Sequence, residues 1–295
     1  MFSIIRLILS SLLVLSSVAA QTVQTVTTSG IAYLTQDVTY GEAERRALED
    51  AFSKAIAEVA GVNVQSEIYG SKAEVLASNP NENEFLEVFT VINRSVSYGR
   101  IVGHKILEKK TETTELAGGA VLPIVRVRVA CEVAKDEGKP DPSFRLELDL
   151  NNEVFYDRGE RKKNDEVIVT VQSTQDAYLT VFGVTNDTVN ILLPNELIKN
   201  NQLKKGEKFT FPSEELRSQG FRLRVSVPVG RARATEMVLA VATKDPVEFK
   251  GGKVVGGIGI VPTYVAALDE LNKWLSQIPP DRRTEAHKVY EVRRR

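Results

Sequence analysis

Over most of this chain the apolar residues recur with a period of two, and that alternation limits the fold more than any other feature. Leu146, Leu148 and Leu150 alternate with polar neighbours. So do Val167, Val169 and Val171, then Tyr178, Thr180, Phe182 and Val184, then Val189, Ile191 and Leu193. Phe209 and Phe211, then Phe221, Leu223, Val225 and Val227, then Met237, Leu239 and Val241 continue the series. Successive side chains of an extended strand point to opposite faces, so each segment has one apolar face to bury. Asn186-Asp187 separates two of these runs as a hairpin turn would. Short strands at this spacing predict a mostly antiparallel β domain, a sandwich or a strongly curved sheet.

The helical period appears in two places. Thr39 precedes Glu42 at capping-box spacing, and Ala43, Ala47, Leu48, Ala51, Phe52, Ala55, Ile56, Val59 and Ala60 then recur at three and four before Gly61. Leu48, Phe52, Ile56 and Val59 are the expected buried stripe, opposite a charged face that includes Glu44, Arg45, Glu49 and Lys54. Around this helix we expect a short strand at Ile31–Leu34, a strand-like Val62-Asn63-Val64, and a helix or loop over 71–89. Two longer strands follow at 96–109 and 121–133, turning through Gly118-Gly119. The second helical run starts at Thr263 with Ala267, Leu268, Leu271, Trp274, Leu275 and Ile278, and Pro279-Pro280 ends it. A last strand is expected over Lys288–Val292.

The polar stretch from Ala134 to Pro142 marks the boundary between two domains. The fold class is therefore α+β. An N-terminal helix-on-sheet domain over 21–138 is followed by a linker over 139–145 and a mostly antiparallel β domain with a C-terminal helix over 146–295.

Residues 1–20 carry Arg6, an apolar run from Leu7 to Val18 and the small pair Ala19-Ala20, the pattern of a secretory signal peptide cleaved after Ala19 or Ala20. No Cys follows the apolar run, so lipid anchoring is not expected. No later stretch is apolar enough to span a bilayer, which places the mature chain in the periplasm or cell envelope. Across the 295 residues, 38 Lys and Arg balance 39 Asp and Glu, so no global charge excess draws the chain to nucleic acid. The single Cys131 alternates in phase with Val125, Val127, Val129 and Val133, the pattern of a buried structural thiol.

Sites for chemistry are sparse. The two histidines, His104 and His287, lie on different domains and read as surface residues. The glycine-rich Gly251–Gly259 lacks the spacing of a phosphate loop or a dinucleotide fingerprint and reads as a flexible linker into the second helix. Arg222, Arg224, Arg231 and Arg233, with Lys204, Lys205 and Lys208, form the densest basic grouping, read first as a solvated sheet face; Arg293-Arg294-Arg295 read as solvated charges. The glycosylation triplets at Asn93 and Asn186 would matter only in a eukaryotic secretory route. No catalytic, cofactor-binding or metal-ligating residue is assigned.

Two resemblances add to this reading. Gly30-Ile31-Ala32, the run Glu42–Ala51, Ala57–Val62 and Ser97–Ile101, within residues 28–133, resemble the N-terminal domain of bacterial flagellar assembly protein T and related envelope lipoproteins. Phe155–Glu160, Ala177–Phe182, Asn190–Asn195 and Leu203–Pro212, within about 146–242, resemble an uncharacterised bacterial domain of unknown function. That domain is found in exported proteins beside kinase-like, caspase-like or curli-secretion-type modules. The resemblances imply a scaffold and an interaction module, so the expected function is a non-enzymatic exported protein that docks envelope or secretion-machinery partners. The alternative is a ligand-binding or hydrolytic protein with a cleft between its two domains, in which Asp157, Arg158 and Glu160 would be the first residues to consider.

Overall fold

The computed structural model describes residues 22–35, 38–60, 99–115, 119, 121–135, 138–185, 188–258 and 261–295. The expected signal peptide, the strand at 62–64, the region 71–89 and the Asn186-Asp187 turn lie outside the described residues. The described chain has the expected α+β architecture.

Residues 22–134 contribute β1 (Val23–Tyr33), α1 (Tyr40–Ala60), β2 (Arg100–Glu115) and β3 (Val121–Ala134). The sheet is antiparallel in the order β1-β3-β2, with α1 across one face. β1 is longer than the four residues expected, because its Thr-rich start also pairs with β3, Val23 lying opposite Ala134.

The buried stripe of α1 differs from expectation. Ala43, Ala47, Ala51 and Ala55 are completely buried at its centre, Ile56 and Val59 extend it, and Leu48 and Phe52 flank it half-buried. The cause is how closely the helix approaches the sheet. A Cβ added to Gly30 on β1 would stand 1.8 Å from the Ala47 carbonyl oxygen and 2.5 Å from the Ala51 nitrogen. Only small residues on both sides permit that separation. Thr28 Oγ1 donates to the Ala51 carbonyl at 2.8 Å, a buried bond available because the backbones are so near. At the outer edge of β1, Ile31 N donates to Asp50 Oδ2 at 3.0 Å, and Lys54 Nζ donates to the Ser29 carbonyl at 3.1 Å.

Beyond residue 138 the chain forms β4 (Leu146–Leu150), β5 (Val154–Asp157), β6 (Val169–Ser173), β7 (Ala177–Thr185), β8 (Thr188–Leu193), β9 (Gln202–Leu203) and β10 (Lys208–Phe211). These are followed by α2 (Glu214–Ser218), β11 (Arg233–Thr243), β12 (Lys253–Ile258), β13 (Val261–Ala267), α3 (Leu268–Ser276) and β14 (Arg283–Arg294). A small sheet runs β10-β6-β4. A larger one runs β12-β13-β8-β7-β11-β14-β5, with β9 beside β7. All pairs are antiparallel except β14 with β5.

The larger sheet is the middle of three layers. From β7 and β11, Leu179, Val181, Val238 and Ala240 pack toward Leu148, Val169, Val171 and Phe211 of the small sheet. Their alternates Phe182, Val184, Met237, Leu239 and Val241 pack toward Leu271, Trp274, Leu275 and Ile278 of α3 and the turn after it. Phe182, Phe249 and Trp274 meet edge to face, with ring centroids 5.3 to 5.7 Å apart; each such pair adds about 0.5–1.5 kcal/mol beyond burial.

Three expectations are corrected. Gly251–Gly259 is not a linker: Lys253–Ile258 is a strand paired with β13, and its glycines accompany a bulge between Val254 and Gly256. The helix begins at Leu268, not Thr263, because Pro262 and the β-branched residues beside it take the extended conformation. Glu270 Oε2 then accepts the Ala267 N–H at 2.9 Å, closing the first turn. The Phe221–Val227 alternation buries Leu223, Val225 and Val227 as expected, but the segment forms one β-bridge, Glu166 to Arg224, instead of a ladder.

The 139–145 linker is docked against the β domain. Phe144 is buried with Ala177 and Ala242. Asp141 accepts from Ser143 N and Oγ, from Gln175 Nε2 and, at 2.6 Å, from Lys244 Nζ.

The N-terminal sheet meets the β domain through β2, against which α3 packs. Arg100 on β2 is 1% exposed, and its Nη2 lies 2.7 Å from Glu285 Oε1 on β14. The same oxygen is 3.0 Å from Arg283 Nε, and Arg283 Nη1 donates to the Ile278 carbonyl in the turn after α3.

Two outcomes follow for stability, read from denaturant midpoints. Gly30→Ala should cost about 2–3 kcal/mol, since its Cβ meets helix backbone that cannot yield cheaply. Gly41→Ala, with open space around it near the start of α1, should cost nothing. Glu285→Leu should cost about 3–5 kcal/mol because it leaves both Arg100 and Arg283 buried without their shared carboxylate. Arg100→Leu should cost less, since Glu285 keeps Arg283.

Candidate functional site

The polar block Tyr156-Asp157-Arg158-Gly159-Glu160 ends β5 and opens a loop that returns through a 3-10 turn at Arg161–Lys163. Asp157 is 6% exposed, and both of its oxygens are engaged. Oδ2 accepts the Val227 N–H at 2.9 Å, and Oδ1 accepts the Gly159 N–H at 3.0 Å. Those backbone donors, Val227 first, hold the carboxyl below the ordinary aspartate range. Gly159 takes a positive φ of 77°, which releases the chain from the strand.

The rest of the block is used in the same way. Asn164 accepts from Arg158 N at 2.7 Å and donates to the Val225 carbonyl at 2.8 Å. Asp165 accepts from Tyr156 N at 2.9 Å and from the Arg158 guanidinium at 3.0 Å. Glu160 is exposed and pairs only with neighbouring Lys163 among the described residues. Asp157, Arg158 and Glu160 are thus brought together, yet Asp157 and Arg158 are spent on joining the loop to the 221–227 segment. A carboxylate with both oxygens on main-chain N–H groups and a lowered pKa is poorly suited to donate or take up a proton near neutrality.

The basic grouping is divided by the fold. Arg222 and Arg224 both pair with Glu166, and Arg224 Nη1 donates to the Asn164 carbonyl at 2.6 Å. Lys204 pairs with Asp176, whose Oδ1 also accepts the Lys205 N–H. Arg231 and Arg233 instead join the C-terminal arginines, since Arg233 lies opposite Arg293 in the β11–β14 ladder.

Cys131 is fully buried, as the alternation predicts. Burial raises its thiol to about 11, against a smaller opposing contribution from its hydrogen bond with Thr28, so it is not a nucleophile at neutral pH. His287 is half-buried on β14 opposite Leu239.

His104 has a defined setting. It lies opposite Cys131 in the β2–β3 ladder and edge-on to Phe52 of α1, ring centroids 4.9 Å apart. Its Nδ1 is 2.8 Å from Asp269 Oδ2 on α3. The hydrogen bond to Asp269 raises its pKa above the ordinary value, with partial burial opposing it. A second perturbed group is Glu236 on β11: burial raises its pKa, while Tyr290 Oη donates to it at 2.6 Å.

His104–Asp269, Arg100–Glu285 and Glu236–Tyr290 pair residues far apart in sequence. Only Arg100 carried a local sign, a charge one position before the apolar Ile101 and within a strand whose other face is solvated. Among the described residues, no group of three His, Cys, Asp or Glu could hold a metal ion.

Residues 161–246 form a domain of the family described as Domain of unknown function (DUF4384). The match covers β6 to β11, so the folded unit draws β4, β5, β14 and α3 from outside the matched span. No curated protein matches the chain.

The His104–Asp269 contact yields a pH dependence of known sign. A histidine whose folded pKa is raised contributes stability that is fully present below its unfolded pKa and is lost as pH rises through the folded value. His104→Gln should therefore lower stability by about 0.5–1 kcal/mol at about pH 5, with the gap to the parent closing by about pH 9. Unfolding midpoints measured across that range check it, and a gap that widened with pH would contradict it.

Proposed function

We propose that this chain is an exported, non-enzymatic interaction or assembly-scaffold protein of the bacterial envelope. The observation that carries the proposal is the use made of the Asp157 block. The most motif-like polar residues of the β domain engage main-chain groups and each other, with both Asp157 oxygens occupied. Such an arrangement uses these residues to build a defined surface.

The DUF4384 match is consistent with an interaction module and carries no activity to transfer. On this reading the N-terminal helix-on-sheet unit acts as a scaffold domain related to that of flagellar assembly protein T, the resemblance carried by Gly30–Ala32, Glu42–Ala51 and Ser97–Ile101. The close approach at Gly30 gives one of those blocks a physical role. The alternative of a cleft between the two units has less support, because Arg100 at the start of β2 is buried against Glu285 of β14.

The deciding experiment is co-purification of an epitope-tagged full chain from cross-linked envelopes. Recovery of the same envelope or secretion-machinery protein from independent preparations is expected. Recovery of no partner above an untagged control, together with turnover of a cell-wall digest by the purified chain, would replace the scaffold reading with the hydrolytic one.

A further inference from the structure

The two units meet on a polar side of α3. Leu271, Trp274, Leu275 and Ile278 turn toward the large sheet. At 3.6 residues per turn, Asp269, Asn272 and Ser276 fall on the opposite side of the helix, the side left for β2, against which α3 packs. Asn272 is 1% exposed and Ser276 9% exposed, so this side is covered although its residues are polar. Few bonds hold it closed. Ser276 Oγ donates to the Lys273 carbonyl of its own helix at 2.7 Å. Asn272 Nδ2 is buried with no hydrogen-bond partner among the described residues. Asp269 reaches across, its Oδ2 lying 2.8 Å from His104 Nδ1. A buried amide without a partner gives up its bonds to water and regains them on exposure, so one member of the joint gains when the joint opens.

The two polar ties across the joint differ in kind. Arg100–Glu285 is buried, and a guanidinium keeps its charge at any pH at which the protein is folded. His104–Asp269 lies further along β2, with side chains 30% and 33% exposed, and an imidazole changes charge near neutrality. Among the described residues, Asp269 is the charged group that acts on the His104 ring. From β3 the ring faces the Cys131 thiol, which burial keeps neutral, while Lys105 and Glu132 alternate to the other face of the sheet. From α1 it meets Phe52. The charges nearest Phe52 on that helix are paired, Arg45 with Glu49 and Lys54 with Asp50. On α3, Lys273 is exposed and Glu270 accepts the Ala267 N–H.

We propose that the joint between β2 and α3 is a proton-controlled clasp: a charged His104 holds α3 closed on β2, and loss of its proton lets the joint open more often while Arg100–Glu285 keeps the two units attached. The sign follows from the contact. A charged imidazole bonds Asp269 more strongly than a neutral one, and that bond raises the pKa of His104. Closure is therefore favoured below the folded pKa and weakens as pH rises through it. A partly exposed pair of this kind shifts the equilibrium about two- to fivefold. Opening uncovers Asn272 and Ser276, a polar surface that the closed form hides.

The test is the rate at which iodoacetamide labels the full chain carrying Ser276→Cys, a substitution that sets a thiol inside the joint, relative to a free thiol at the same pH. The relative rate should be about two- to fivefold higher at about pH 8 than at about pH 5.5. Adding His104→Gln or Asp269→Asn should abolish that difference. Cys131, the native thiol, should stay unlabelled, and emission from Trp274, the single tryptophan, should stay constant because its side of α3 remains on the large sheet. In the chain without Ser276→Cys, NMR titration of the His104 ring should give a midpoint that Asp269→Asn lowers. A relative labelling rate independent of pH, or the same dependence in all three backgrounds, would overturn the clasp. So would a His104 midpoint that Asp269→Asn leaves in place, or labelling of Cys131 in step with the introduced thiol, which would report unfolding of the whole chain.

Discussion

Arg100, at the start of β2, is buried where the N-terminal sheet meets the β domain and finds its counter-charge on the last strand. A guanidinium at 1% exposure is tolerable only with such a partner in place, and Glu285 serves Arg283 at the same time. The remainder of the arrangement turns on this cluster. Arg283 holds the turn after α3 through the Ile278 carbonyl. α3 in turn covers one face of the large sheet and presents Asp269 to His104. Two units that sequence reads as separate are joined through buried charge, which makes their mutual register specific.

The alternation of apolar residues was a reliable guide because a half-buried strand has little freedom in how it displays its side chains. Cys131 and its valines and Trp274 with its neighbours on α3 lie where their spacing puts them, whereas β7 and β11, in the middle layer, bury both faces. The centre of α1 was read less well. Large apolar residues dominate an amphipathic pattern, whereas the true contact face consists of four alanines whose value lies in their smallness. That face becomes legible only when Gly30, on another element, is known to lie against it.

The polar pairs were least legible. Arg100 and Glu285 are 185 positions apart, and His104 and Asp269 are 165 apart. No local pattern encodes their meeting, which depends on how the last helix and strand return to the first sheet. The glycine-rich stretch is misleading in sequence for a related reason. Glycine weakens a strand locally, and the pairing of β12 with β13 is a property of both segments together.

The outer edge of β1 has a further meaning. Open strand edges are where one copy of a protein can add to the sheet of another, and long regular edges invite uncontrolled stacking. Here Asp50 and Lys54, reaching over from α1, take up the Ile31 N–H and the Ser29 carbonyl. One donor and one acceptor in the middle of that edge are therefore already taken by the protein's own side chains. The strand is in this way partly shielded from templating polymerisation of the chain along its edge.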